Sequence, residues 1–141
     1  MSGSVFVRDI MSTDLLSVEE DARLSDVYDV MERKRIQHFP VLREGRLVGL
    51  LSERHMRDAM PSVLTLKDPQ ARRKALELTK VAQVCVRNPE FVSSDATVIE
   101  AIYKMRRLRA GSMPVVDDEK VVGIVTAGDL ISLLERVLTG N

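Results

Sequence analysis

The sequence has no tryptophan, a single cysteine and no surplus of either charge over its 141 residues. Each shortage removes a class of function. Lysine plus arginine total 21, and aspartate plus glutamate total 21. A net charge of zero argues against a protein built to displace counterions from a nucleic-acid backbone, although a local basic groove is compatible with it. Aromatic residues make up 4%, which disfavours stacking platforms for single strands. The lone Cys85 excludes an internal disulfide and a cysteine-rich zinc site. No apolar run approaches the roughly 20 residues that span a bilayer. The opening MSGSVFVRD lacks the basic region and long apolar stretch of a secretion signal. The expectation is a soluble, cytoplasmic protein with no membrane and no nucleic-acid partner. The remaining composition, 45% apolar and 30% charged, is ordinary for a globular chain.

Catalytic groups are also scarce. The only histidines are His38 and His55. Ser52, His55 and Asp58 share one short helix at three-residue steps, a spacing unlike a working triad. His38, His55 and Cys85 have no metal-ligand spacing. No catalytic and no metal-binding residues are expected, and the protein is read as a non-enzyme.

What the chain does have is a repeat. Residues 7–58 align with 81–132 at a fixed offset of 74 (81 − 7) without a gap. Asp21-Ala22 meets Asp95-Ala96, Met31 meets Met105, and Arg33 and Arg35 meet Arg107 and Arg109. Pro40-Val41 meets Pro114-Val115, and Val48-Gly49 meets Val122-Gly123. Each copy reads as an extended stretch (Leu15 to Val18; Phe91-Val92), a helix, two strands around a tight turn, and a closing helix. Thr97 to Glu100 fits a capping box. Val98, Ala101, Ile102, Met105 and Leu108 form one helical stripe, matched in copy one by Leu24, Val27, Tyr28 and Met31. The turns fall at Glu44-Gly45 and Asp117-Asp118-Glu119. Between the copies, Asp68-Pro69 starts a charged helix, Ala71 to Thr79, read as exposed. Its Arg72-Arg73-Lys74 run reads as a solvated face. Cys85 aligns with Met11 and reads as a small buried apolar residue.

A half of roughly 50 residues cannot cover both faces of a small sheet. The predicted class is therefore α/β (α+β): two β-α-β-β-α repeats packed with pseudo-twofold symmetry and two equivalent clefts between them. Residues 5–60 form repeat 1, 61–80 a linker with a helix, and 81–138 repeat 2. The closing helix of copy two carries Leu130, Leu133, Leu134, Val137 and Leu138, more than one half buries. A homodimer built on it is expected, with Met56, Ala59 and Met60 contributed by copy one.

The order of elements and the run Gly123-Ile124-Val125-Thr126-Ala127-Gly128-Asp129 resemble the CBS domain family. Asp9-Ile10-Met11-Ser12, the Phe39-Pro40-Val41 and Met113-Pro114-Val115 triplets and Asp95-Ala96-Thr97 resemble it too. The resemblance covers about residues 5 to 138 and is to stand-alone tandem CBS pairs. It implies a regulatory module that binds an adenosine-containing ligand (AMP, ADP or ATP foremost) and controls another protein, here unknown.

A carboxylate can accept from both hydroxyls of a ribose, and the charge strengthens those bonds. Asp129 at the start of the closing helix fits that part, with the Thr126 hydroxyl and the N–H groups at Gly128 and Asp129 favouring ribose or phosphate. The spacing alone serves a helix cap equally well. The resemblance further implies Ser12 and Leu16 at the adenine edge, Ile36 and Ile124 sandwiching the base, and Ser112 near the phosphates. For Leu16, Ile36 and Ile124, ordinary core packing is the alternative. The equivalent run in copy one keeps the hydroxyl as Ser52 but has His55 in place of the aspartate. A neutral imidazole cannot accept from two hydroxyls at once, so this second cleft, with Ser52, Arg54, His55 and His38, is expected to be the weaker. The runner-up function is a ligand-independent dimerisation or partner-docking module.

Overall fold

Each repeat turns back on itself at a two-residue hairpin, and that turn organises the rest. A computed structural model describes residues 4–140. The elements run α1 (Val7–Ile10), β1 (Val18–Glu19), α2 (Leu24–Lys34), β2 (His38–Arg43), β3 (Arg46–Ser52), α3 (Glu53–Ala59), α4 (Pro61–Leu64), α5 (Pro69–Glu77), β4 (Val86–Arg87), α6 (Val98–Leu108), β5 (Ser112–Asp117), β6 (Lys120–Thr126) and α7 (Ala127–Thr139). The fold is mixed α/β, as expected.

Both hairpins place two successive residues at positive φ: Glu44 and Gly45 at 50° and 81°, Asp118 and Glu119 at 50° and 66°. This is the turn whose twist matches its strands. Asp117 therefore belongs to β5 and not to the turn. Pro114 is tolerated for a specific reason. Both backbone groups of its partner Ile124 bond Ser12 on the far side, so Pro114 occupies a non-hydrogen-bonded pair.

The chain divides into two compact units that do not coincide with the repeats. Unit 1 joins the residues up to Leu15 to those from Glu90 onward; unit 2 is Leu16–Pro89. The start of each copy has left its own hairpin for the other. In unit 1, Ser12 bridges Ile124 on β6; in unit 2, β4 pairs with β3 through Val86 and Leu50. Those two pairings are the same at the offset of 74. Backbone bonds repeat the pattern: Val7 to Ala96, Arg8 to Ser94 and Val98 to Val5 in unit 1; Val81 to Ala22, Ala82 to Glu20 and Leu24 to Thr79 in unit 2. Glycine permits this close approach. A Cβ on Gly123 would lie 2.6 Å from the Met11 sulfur, and one on Gly49 would lie 2.8 Å from that of Cys85. Cys85 is buried, as expected.

One apolar cluster lies in each unit. Unit 2 packs Leu24, Val27, Met31, Phe39, Val41, Leu51 and Met56; unit 1 packs Val7, Val92, Ala101, Met105, Met113, Val115 and Val125. Three expectations need correction. Met56 is fully buried and so is not free for a dimer face, while Met60 is half-buried and packs in part against the same cluster. The linker helix α5 is not simply exposed: Leu76 is buried, and Arg73 pairs with Asp29 of α2 at 3.0 Å. Finally, α6 has half of its capping box. Thr97 Oγ1 accepts from the Glu100 N–H, and the reciprocal bond is not made.

Candidate functional site

The chemistry-bearing residues gather where a strand ends and a helix begins. In unit 1 the last strand residue, Thr126, becomes the N-cap of α7. The Asp129 N–H donates to Thr126 Oγ1 at 3.2 Å, and the Thr126 N–H donates to Asp129 Oδ2 at 2.9 Å. A third contact comes from the far end of the sequence: the Ser12 hydroxyl donates to Asp129 Oδ1 at 3.3 Å. The two ladder bonds between Ser12 and Ile124, 2.9 and 3.0 Å, hold that hydroxyl in place. The carboxylate is thus half-buried and oriented through both oxygens. Each oxygen keeps further acceptor capacity, since an ionised carboxylate has about four lone-pair sites.

Three other expected residues lie on the same unit. Ser112, buried, is the register partner of Thr126. Ile124 is buried, 4% exposed. Gly128 is open rather than crowded, its nearest neighbour for an added Cβ being Thr126 Oγ1 at 3.5 Å. The Asp129 N–H, expected to be available to a ligand, is taken by Thr126. Leu16 and Ile36 belong to unit 2, where they pack against its apolar cluster.

Unit 2 builds the same cap from different atoms. The His55 N–H donates to Ser52 Oγ at 3.1 Å, and the Ser52 N–H donates to His55 Nδ1 at 3.1 Å. Here Val86 stands where unit 1 has Ser12, so no hydroxyl reaches the position from the neighbouring strand. Burial, followed by the Arg54 cation, holds His55 below the ordinary imidazole range; Asp58 and the Leu50 carbonyl pull the other way. Arg54 is largely exposed and lies 3.9 Å from Asp58, which makes it a surface residue. His38 is the register partner of Ser52, as Ser112 is of Thr126. The imidazole cap and the Ser12–Asp129 hydrogen bond are structural features that the sequence reading did not state, although it set Ser12 in the Asp129 cleft. A signal existed for both. Aligning the repeats sets Ser12 and Asp129 against Val86 and His55, so both positions change together.

The comparisons with known proteins follow the same lines. The CBS domain matches residues 7–62 and 81–136. A CBS domain-containing protein of Dictyostelium discoideum is 31% identical over 136 residues, spanning 95% of this chain and 94% of its own. The CBS domain pair of protein MJ0100, in complex with 5′-methylthioadenosine and S-adenosyl-L-methionine, superposes with a TM-score of 0.77 at 24% identity, covering 94% and 98% of the two chains. CBSX2 in complex with AMP superposes with a TM-score of 0.78 at 19% identity, covering 95% and 99%.

Proposed function

Since this chain belongs to the CBS domain family, we propose that it is a non-catalytic regulatory module that binds an adenosine-containing ligand, AMP, ADP or ATP foremost, through Asp129. The observation that carries this reading is the orientation of the Asp129 carboxylate by Thr126 from one side and Ser12 from the other. Two vicinal ribose hydroxyls find a fixed acceptor pair there. The ligands bound by MJ0100 and CBSX2 share the adenosine group and support the same class. Thr126 and Ser12 bond that carboxylate, and Gly128, Ile124 and Ser112 are the further proposed contacts in unit 1. Leu16 and Ile36 remain proposed contacts for the base. The Ser52–His55 pole lacks the carboxylate, so one strong site per chain is the expected stoichiometry.

Calorimetry with AMP, ADP, ATP and S-adenosylmethionine tests this. Asp129→Ala should weaken binding about ten-fold or more, because a lost charge-assisted hydrogen bond is worth roughly 1.5–3 kcal/mol. Ligand-free stability should fall by only about 1 kcal/mol, the value of a helix cap. If Asp129 is merely a cap, the variant melts lower and affinity is unchanged. If none of these compounds binds the unaltered protein, the docking-module alternative takes its place.

The same proposal includes a homodimer built on α7. None of its side chains is fully buried, and Ile131, Leu134, Val137 and Leu138 are 66%, 55%, 67% and 76% exposed. A groove of about 440 Å³ between α1 and α7, lined by Ile10, Leu133 and Val137 among others, extends that face. An apolar face of this kind marks an interaction site. Light scattering should give twice the 15.8 kDa chain mass, and Leu134→Glu combined with Leu138→Glu should halve it. A single-chain mass for the unaltered protein rejects the dimer.

A further inference from the structure

The cap of α3 is made by an imidazole acting as an acceptor, and that role fixes its protonation state. The Ser52 N–H donates to His55 Nδ1 at 3.1 Å. Nδ1 can accept only while it carries no proton, so the ring must be neutral with its hydrogen on Nε2. We propose that the Ser52–His55 pair is a proton-sensitive latch: protonation of Nδ1 removes the acceptor, strands the buried Ser52 N–H and releases the first turn of α3 in unit 2. Unit 1 has no imidazole at this position, because its cap is Thr126–Asp129. The two halves of the repeat therefore respond differently to acid.

The surroundings favour the neutral ring. Ser52 is 4% exposed, so a stranded donor there has no ready access to water, and an unsatisfied buried donor is costly. On α3 itself, Arg54 opposes a second positive charge and Asp58 favours one, while Glu53 and Arg57 pair with each other at 3.1 Å. On β3 the Leu50 carbonyl favours the protonated form. On β2, His38 lies opposite Ser52. On β4, Arg87 is directed to Glu20 at 3.9 Å. The α4 sequence, Pro61–Leu64, contains no titratable side chain.

The sign follows from the downward shift. An unfolded histidine titrates near pH 6.5, and His55 in the fold titrates below that, chiefly through burial. The unfolded chain then takes up the proton first. The latch's contribution is complete above about pH 6.5 and declines as the pH falls through the folded value. What moves is the helix that carries the buried Met56 and leads into α4 and α5, so acid loosens unit 2 from its strand-to-helix corner.

NMR on the full chain from pH 8 to 5 tests the latch. The His55 ring nitrogens should report Nε2–H with bare Nδ1 at neutral pH, and its carbons a midpoint below 6.5. The Ser52 amide should move with the same midpoint, and hydrogen exchange in α3 should rise several-fold through that step while α7 stays unchanged. In His55→Asp, or in His55→Asn should that variant fail to fold, the step in α3 should disappear; in His38→Gln it should remain. A neutral ring with Nδ1–H, a midpoint at or above 6.5, or an acid step that survives loss of His55 overturns the proposal.

Discussion

Removing residues 1–15 should unfold unit 1. The segment supplies a fully buried Val7, the Met11 side chain packed against Gly123, and backbone bonds through Val5, Val7, Arg8 and Ser12. Burying a valine stabilises by roughly 1.5–3 kcal/mol and each net hydrogen bond by roughly 0.5–1.5. Those contributions together approach the whole stability of an ordinary domain, about 5–15 kcal/mol. Amide spectra of the shortened chain should show collapsed dispersion for residues 90–140. The unit 2 cluster, which contains none of the deleted residues, serves as the internal comparison. A peptide of residues 4–15 added in trans should restore the lost signals. Unchanged spectra and melting after the deletion would falsify the assignment of this segment to unit 1.

Phe39→Ala should destabilise the protein by about 3–5 kcal/mol. Phe39 is wholly buried at the start of β2, and its repeat counterpart Met113 is 1% exposed on β5. Met113→Ala should cost about 2–5 kcal/mol, less on average because methionine is the smaller and more adaptable side chain. Denaturant unfolding of the two variants measures the difference. A midpoint shift for Phe39→Ala no larger than that of an exposed control such as Tyr103→Ala would contradict the core described above.

Much of the fold was legible because local chemistry and periodicity agreed. Asp68-Pro69 opens α5 as a cap followed by a proline at the first helical position, and the Asp68 side chain accepts from the Gln70 N–H. The α6 stripe is buried at Val98, Ala101 and Met105. Capping of α7 by Thr126 and of α3 by Ser52 was readable from spacing; the acceptor on the imidazole was not, since histidine rarely takes that part. The resemblance set Ser12 of copy one beside Asp129 of copy two, but periodicity alone could not show the exchange of segments, for a physical reason. Alternation along a strand fixes which face is buried but not which of two similar hairpins the strand joins, and the two copies look alike. The repeats also vary their linkages. Asp117 accepts from the Ser94 N–H and hydroxyl in unit 1, and is held below its ordinary value by them. The same two positions in unit 2 are Arg43 and Glu20, an ion pair at 2.9 Å.

The exchanged segment has a consequence for synthesis. Unit 2 is one continuous stretch and is complete once Pro89 has left the ribosome. Unit 1 needs two separated segments: Ser12 is made before unit 2, and its partner Ile124 follows 112 residues later (124 − 12). At roughly 5–20 residues per second that is a wait of about 6–20 seconds. Throughout it the Ser12 segment carries an unpaired strand edge and an exposed Val7. On a polysome the β6 of a neighbouring chain offers the same ladder, the same Gly123 notch and the same Asp129 carboxylate. Crowded translation therefore selects between a chain that closes on itself and a pair of chains that trade the Ser12 segment, each using the contacts the other would have made alone.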